Sequence, residues 1–221
     1  MTTHQIPQTL PADPRPQFAA AFATAGKVIA GVKSDQMSRP TPCEEMDVAQ
    51  LLGHLRMVAN RVARLGRNDE LFDHVTEPPP PADGDHRRWW SEAGEAITAA
   101  WTEERLTQPV VLPWMQGTGA DALAGYVNEV TVHTWDLARA TGQDVAWDDE
   151  AVAVGLAALQ AVLPGSGRTA QFEAMRAQMP PEMADFTLPF AEPVEIGDGD
   201  APLIDRSVAY NGRNPAWAPT G

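Results

Sequence analysis

The chain has a single cysteine, Cys43, among its 221 residues, so no intrachain disulfide can form. That excludes the disulfide-stapled small secreted folds and fits a cytoplasmic protein. Nor does any apolar run approach the ~20 residues that a membrane span needs. Residues Met1 to Pro16 are polar and proline-bearing, without the basic start and apolar stretch of a secretory signal. Positive charge is scarce: 16 Lys and Arg stand against 30 Asp and Glu, a net charge of −14. Such a surface repels phosphate backbones and anionic lipid, which argues against nucleic-acid and membrane partners. The acid excess itself is accounted for by solubility or a salt-tolerant host and names no substrate. Strand signals are sparse, and there is no internal repeat.

What is present is helical periodicity, with an apolar content of 43% that suffices for an ordinary core. Phe18, Ala21, Phe22, Ala25, Val28 and Ile29 recur at helical spacing and predict a first helix over about 16–33. Thr41-Pro42-Cys43-Glu44 reads as a Thr N-cap with Pro at the first position and Glu at the third. Asp47 and Gln50, also three apart, repeat that pattern and launch a stripe of Val48, Leu51, Leu52, Leu55, Val58 and Val62 that ends near Gly66. The run Pro78 to Pro81 fits neither helix nor central strand. It reads as a long surface connection, suited to a crossover between helices that are not antiparallel neighbours.

A third helix is predicted over about 85–106, carrying Trp89, Trp90, Ala93, Ile97 and Trp101, then a short extended piece at Val110 to Leu112. Thr118 and Asp121 start a fourth that runs to Ala140 and stops at Gly142, well placed for a left-handed C-cap. A fifth covers about 148–163 and a shorter one about 169–178. From Met179 onward Pro, Gly and Asp dominate, and strand or loop packed on the body is expected. The pattern predicts an all-α bundle over 13–165 and a C-terminal extension over 166–221 packed on it.

Of five histidines, His4, His74 and His86 lie in polar or charged sequence and read as solvated. His54 and His133 sit inside amphipathic helices. A helical wheel puts His54 about 100° from the middle of its apolar arc, and Glu129 and His133 together roughly 80–120° from theirs. All three border the core. Residues four apart on a helix can bring two side chains to one ion, and a third ligand from another helix ties such a site into a bundle. Two imidazoles and a carboxylate suit Zn²⁺, Ni²⁺, Fe²⁺ or Mn²⁺ and leave positions for water or substrate. Spacing alone is a weak signal, because Glu-x-x-x-His on a helix is common without a metal.

Nearby residues read two ways. Asp136, three beyond His133, either accepts a hydrogen bond from an imidazole or pairs on the helix surface with Arg139 or Arg56. Tyr126, three before Glu129, either lines a pocket or simply packs. Cys43 is read as a packed thiol, since Glu44 and Glu45 oppose a depressed pKa. Trp89, Trp90 and Trp101 fit a core stripe, and Trp135 points toward the C-terminal segment.

Three blocks carry a family resemblance. Thr41-Pro-Cys-Glu-Glu-Met-Asp-Val-Ala-Gln-Leu-Leu-Gly-His54-Leu resembles the opening of actinobacterial DinB/YfiT-like proteins. Glu129-Val-Thr-Val-His133-Thr-Trp-Asp136-Leu-Ala-Arg-Ala-Thr-Gly142 looks like their second signature, and Asp205-Arg206 through Gly212-Arg213 to Trp217 resembles a closing motif of one branch. The related mycothiol-dependent maleylpyruvate isomerases share the bundle and the His, then Glu-x-x-x-His arrangement. The resemblance implies an up-down-down-up four-helix bundle with added short helices, with His54, Glu129 and His133 as ligands to a divalent metal, zinc first. It also implies mycothiol as co-substrate, its metal-bound thiolate attacking a small electrophile in a transferase or isomerase reaction. Alternatives are a hydrolase using bound water, or a non-catalytic metal-binding protein, dimeric through a bundle face. Two departures stand out. Met46 occupies a position where the family commonly has Trp, and neither Arg206 nor Arg213 matches the arginine that the isomerases carry for substrate in a longer C-terminal domain.

Overall fold

Where the helices begin is decided by their caps. Asp47 accepts a hydrogen bond from the Gln50 amide at 2.8 Å while the Gln50 side chain accepts from the Asp47 amide at 2.9 Å. This reciprocal box starts a helix at Val48. Thr41 does not start one. Its hydroxyl accepts from the Cys43 amide at 3.1 Å and donates to the Met46 carbonyl at 2.8 Å, a local turn that takes the place of the expected cap. Thr118 and Asp121 form a second reciprocal box, and the helix it opens ends at Gly142 with φ +70°. Met46 packs half-buried against the main core.

The computed structural model describes residues 9–69, 84–112, 115–176, 191–197 and 200–219. Four long helices form the bundle: α1 (Arg15–Gly31), α2 (Val48–Arg67), α3 (His86–Ala100) and α5 (Gly119–Thr141). Short α4 (Glu103–Thr107) and a hairpin of β1 (Pro109–Leu112) and β2 (Met115–Thr118) lie between α3 and α5. The hairpin is antiparallel, Val110 opposite Gly117, with Val110 and Leu112 buried and Val111 exposed. After α5 come α6 (Asp149–Val162), α7 (Arg168–Arg176) and α8 (Leu203–Tyr210). The protein is an all-α, DinB-like bundle. Among the described residues no helix is long and apolar enough to cross a membrane.

Contacts fix the direction of each helix. Trp101, just past the end of α3, donates its indole N–H to the Val62 carbonyl near the end of α2, so these two helices run parallel. Trp90, early in α3, donates to Phe22 in α1, while Arg15 at the start of α1 reaches the Trp101 carbonyl, so α1 and α3 are antiparallel. Gln143, past the end of α5, donates to Val28 near the end of α1, so α1 and α5 are parallel. The order is up, down, down, up. Because α2 and α3 are parallel, the chain must return about the ~30 Å length of a 20-residue helix between them. That demand explains the long connection, whose proline run lies outside the described residues.

The predicted third helix breaks at Trp101. The indole there turns across the end of α2, against Gly66, where a Cβ would stand 2.9 Å from the ring. Thr102 then caps α4 through the Arg105 amide. The C-terminal segment, expected to be strand or loop, contains the helix α8. Leu203 packs against Val152, Ala153 and Leu156 of α6, and Val208 packs against Val132 and Trp135 of α5. Trp135 faces this segment as its wheel position implied.

Helices α5 and α6 meet closely at Gly155, where an added Cβ would lie 2.9 Å from the Asn128 backbone nitrogen and 3.0 Å from its Cα. Backbone cannot rotate aside as a side-chain end can. Gly155→Ala is expected to destabilise the protein by roughly 1–3 kcal/mol through overpacking, read from the urea midpoint at unchanged slope.

Candidate metal centre

Helices α2 and α5 are antiparallel, and this pairing brings residues 54 and 129 together across 75 positions of sequence. His54 Nε2 lies 3.0 Å from Glu129 Oε1, and His133 Nε2 lies 3.6 Å from the same oxygen. The two imidazoles meet edge to face with centroids 4.4 Å apart. One ligand atom from each of His54, Glu129 and His133 falls within 4.8 Å of the others. The structure thus gathers the three sequence-predicted ligands into one cluster. His133 is buried, whereas the Glu129 side chain is 28% exposed, so the cluster opens to solvent on its carboxylate side.

Behind His133 stands a second layer. Its Nδ1 lies 3.0 Å from Asp136 Oδ2, and Asp136 is fully buried. Asp136 is met in turn by Arg213, whose Nη2 and Nε reach the two carboxylate oxygens at 3.2 and 3.4 Å. Of the two readings open for Asp136, the structure gives the hydrogen bond to imidazole. A proton on Nδ1, held by this carboxylate, leaves Nε2 as the nitrogen that faces Glu129.

Charge follows this arrangement. Burial opposes ionisation of Glu129, yet hydrogen bonds from His133 and His54 outweigh it and hold its carboxyl well below the usual range. Burial likewise favours neutral His133, but Asp136 and Glu129 overcome it and raise the ring to about 9. Cys43 joins the rear of the site, its sulfur within 4.8 Å of ligand atoms on His133 and Asp136. Burial pushes its thiol up, Arg213 pulls it down, and the Asp136, Glu45 and Glu129 carboxylates add to the rise. That agrees with a packed thiol.

The donor set fits a divalent cation. It offers two imidazole nitrogens and one carboxylate from two rigid helices, with one imidazole oriented by a carboxylate behind it. Three protein donors leave coordination positions free on the exposed side. Tyr126 sits on the same face of α5, its hydroxyl buried without a partner among the described residues. His86 lies at the first position of α3, apart from the cluster, and His4 and His74 lie outside the described residues. A groove of about 1200 Å³ between α1 and α3, lined by Phe18, Phe22, Trp90 and Ile97, occupies the opposite face of the bundle and contains none of these groups.

Sequence reasoning missed Arg213 as a member of the site, because nothing local ties it to a carboxylate 77 residues earlier. It missed the Asn128–Asn211 pair as well. Their side-chain amides donate to each other reciprocally at 3.0 Å, both buried, and pin the end of α8 to α5. Arg139 donates to the Trp217 carbonyl, closing the same seam. A usable signal did exist: Pro202, Asp205 in a first turn, and Leu203, Ile204 and Val208 at helical spacing.

The family described as mycothiol maleylpyruvate isomerase N-terminal domain matches residues 18–138. That span contains His54, Glu129, His133 and Asp136. Two uncharacterized proteins, one from each of two Mycobacterium tuberculosis strains, are each 30% identical to the chain over 149 residues, covering 65% of it and 74% of the relative. No solved structure matches the chain.

The His133 shift has a definite sign. Its folded value near 9 lies above the ~6.5 of an unfolded histidine, so the stability it contributes is complete below about pH 6.5. Metal-free protein is therefore expected to lose thermal stability as pH rises from about 6.5 through 9. A flat melting temperature over that window would refute the assignment. Arg213→Gln leaves Asp136 without its cation and loosens the hold on His133. Metal affinity is expected to fall by roughly 10–100-fold, measured by competition with a chromogenic chelator.

Proposed function

The chain belongs to the mycothiol maleylpyruvate isomerase N-terminal domain family, and we propose that it is a divalent-metal-binding protein working with a mycothiol-type thiol as a transferase or isomerase on a small electrophile. The observation that carries this reading is the convergence of His54, Glu129 and His133 on one point, with Asp136 orienting His133 from behind. Zinc is the first choice for two imidazoles and a carboxylate on a solvent-facing site.

The chain's residues divide the work. His54, His133 and Glu129 would hold the ion through two imidazoles and a carboxylate. Asp136 is paired with Arg213, so with both imidazoles neutral on an ion the charge offered to it would be that of Glu129. A divalent ion bound there would retain net positive charge, favour an anionic further ligand, and hold a thiol as its thiolate near neutral pH. The exposed edge of Glu129 marks the side from which thiol and electrophile approach. Leu55, Val127 and Val130 on the same two helices are buried in the core.

Purified protein is expected to carry about one equivalent of metal, with His54→Ala and His133→Ala each losing most of it while remaining helical by circular dichroism. Equal metal content in all three would remove the ligand assignment. Zinc-loaded protein mixed with mycothiol and a panel of electrophiles should consume thiol, and Glu129→Ala should slow that by at least roughly tenfold. Turnover without thiol would favour a hydrolase, and metal binding with no turnover a non-catalytic role.

A further inference from the structure

Beside the cluster lies a pair of polar groups that packing does not explain. Tyr126 is 7% exposed, and its hydroxyl is buried with no hydrogen-bond partner among the described residues. Arg61 Nε is likewise buried without a partner. A buried hydroxyl left unsatisfied opposes folding, and phenylalanine would fill the same space without that penalty. Each such orphan in a native protein calls for a reason.

Helix geometry puts the two orphans opposite one another. His54 on α2 faces His133 on α5. Arg61 is seven residues after His54, and Tyr126 is seven residues before His133. Seven residues make about two turns, roughly 10 Å of rise, and return to within about 20° of the same direction. Because α2 and α5 are antiparallel, both steps lead to the same level of the seam between them. Electrostatics agrees: burial pushes the Tyr126 phenol up to about 12, Arg61 opposes the rise and Glu129 adds to it, so both charges are felt at the hydroxyl.

There is also room. Gly125, one residue before Tyr126 and one turn before Glu129, is a mid-helix glycine whose added Cβ would meet nothing within 4 Å among the described residues. Alanine would stabilise the helix at such a position, so open space there is retained against local preference. The space adjoins the Glu129 face of the cluster.

The chemistry of the pair selects its ligand. The Tyr126 phenol has an O–H to donate, and the Arg61 guanidinium offers donors only and carries one positive charge. They match a planar acceptor with two oxygens and one negative charge. We propose that Tyr126 and Arg61 form a subsite for the carboxylate of a small organic acid, about two helical turns from the His54–Glu129–His133 cluster. As the anchoring end of the electrophile in the reaction proposed above, the subsite rests on that reading; as a carboxylate site it stands apart from it. The acid's reactive carbon would then sit toward Glu129, over Gly125.

The test uses the full chain stripped of metal by chelator, titrated with propionate and with its neutral isostere propionamide. Binding is followed through the Arg61 Nε–H resonance, assigned by its loss in Arg61→Gln. Propionate is expected to shift it saturably and propionamide not to, and Tyr126→Phe should weaken propionate at least fivefold. Tyr126→Phe should melt at the same temperature as wild type or higher, since it removes an unpaired hydroxyl. Equal response to both ligands, or propionate affinity in Tyr126→Phe within twofold of wild type, overturns the subsite. So does a lower melting temperature in that variant, which would give the hydroxyl a structural partner. Metal content measured in the same preparations before stripping keeps the two ideas apart. Unchanged metal with lost propionate binding supports the subsite, metal lost with the hydroxyl refutes it, and a wild type that binds no metal removes only the catalytic reading.

Discussion

The structure around the site depends on one buried anion. Asp136 has no solvent exposure, and an ionised carboxylate so placed must be met by partners on all sides. His133 meets one oxygen from one turn back on the same helix, and Arg213 meets both from the C-terminal segment. The consequences run outward from there. The segment after α8 has to lie against α5, which the Asn128–Asn211 pair and the Arg139 contacts to Trp217 secure. His133 is held with Nε2 toward Glu129. Cys43, packed against this charged group, keeps its proton.

A buried Asp–Arg pair is weak evidence of stabilisation, because desolvating both charges consumes most of what their attraction returns. Well-packed apolar residues would fill that volume as well or better. What apolar residues cannot do is fix the tautomer and angle of an imidazole. The pair therefore makes sense as an orienting device, and it links the family-matched bundle to a segment beyond residue 138. The site's geometry is completed by a residue from outside the matched span.

Legibility in the sequence followed the range of each interaction. The Asp47–Gln50 and Thr118–Asp121 boxes, the stripe along α2 and the Gly142 stop are local, and they read correctly. Thr41-Pro42-Cys43-Glu44 misled because a turn can satisfy the same hydroxyl and amide that a cap would. The break at Trp101 was invisible because it is made by Gly66 on another helix, which lets the indole cross the end of α2. For the cluster, Glu129 and His133 were legible as a pair four apart, but their meeting with His54 depends on helix order. Arg213 had no local signature at all. A cation for Asp136 was foreseeable only as a need, once that residue was known to be buried.

Helix order also explains why the site lies where it does. With α2 and α3 parallel, α2 and α5 become antiparallel neighbours, and the stretch before α3 must be long enough to cross back. An antiparallel pair repeats its register every seven residues, so whatever faces His54 and His133 at one level is echoed two turns away by Arg61 and Tyr126. On the α1–α3 face Phe22 meets Trp90 and Gly94, one turn apart on α3, in ring stacking with centroids 4.0 Å apart and in close approach. That seam joins stacked rings beside an apolar groove. The α2–α5 seam leaves a hydroxyl and a guanidinium nitrogen unpaired among the described residues and a mid-helix glycine uncovered, at a cost to stability. Since both seams obey the same geometry, the difference lies in the residues chosen for them, and on the α2–α5 side those residues are polar and convergent, with Glu129 reaching solvent.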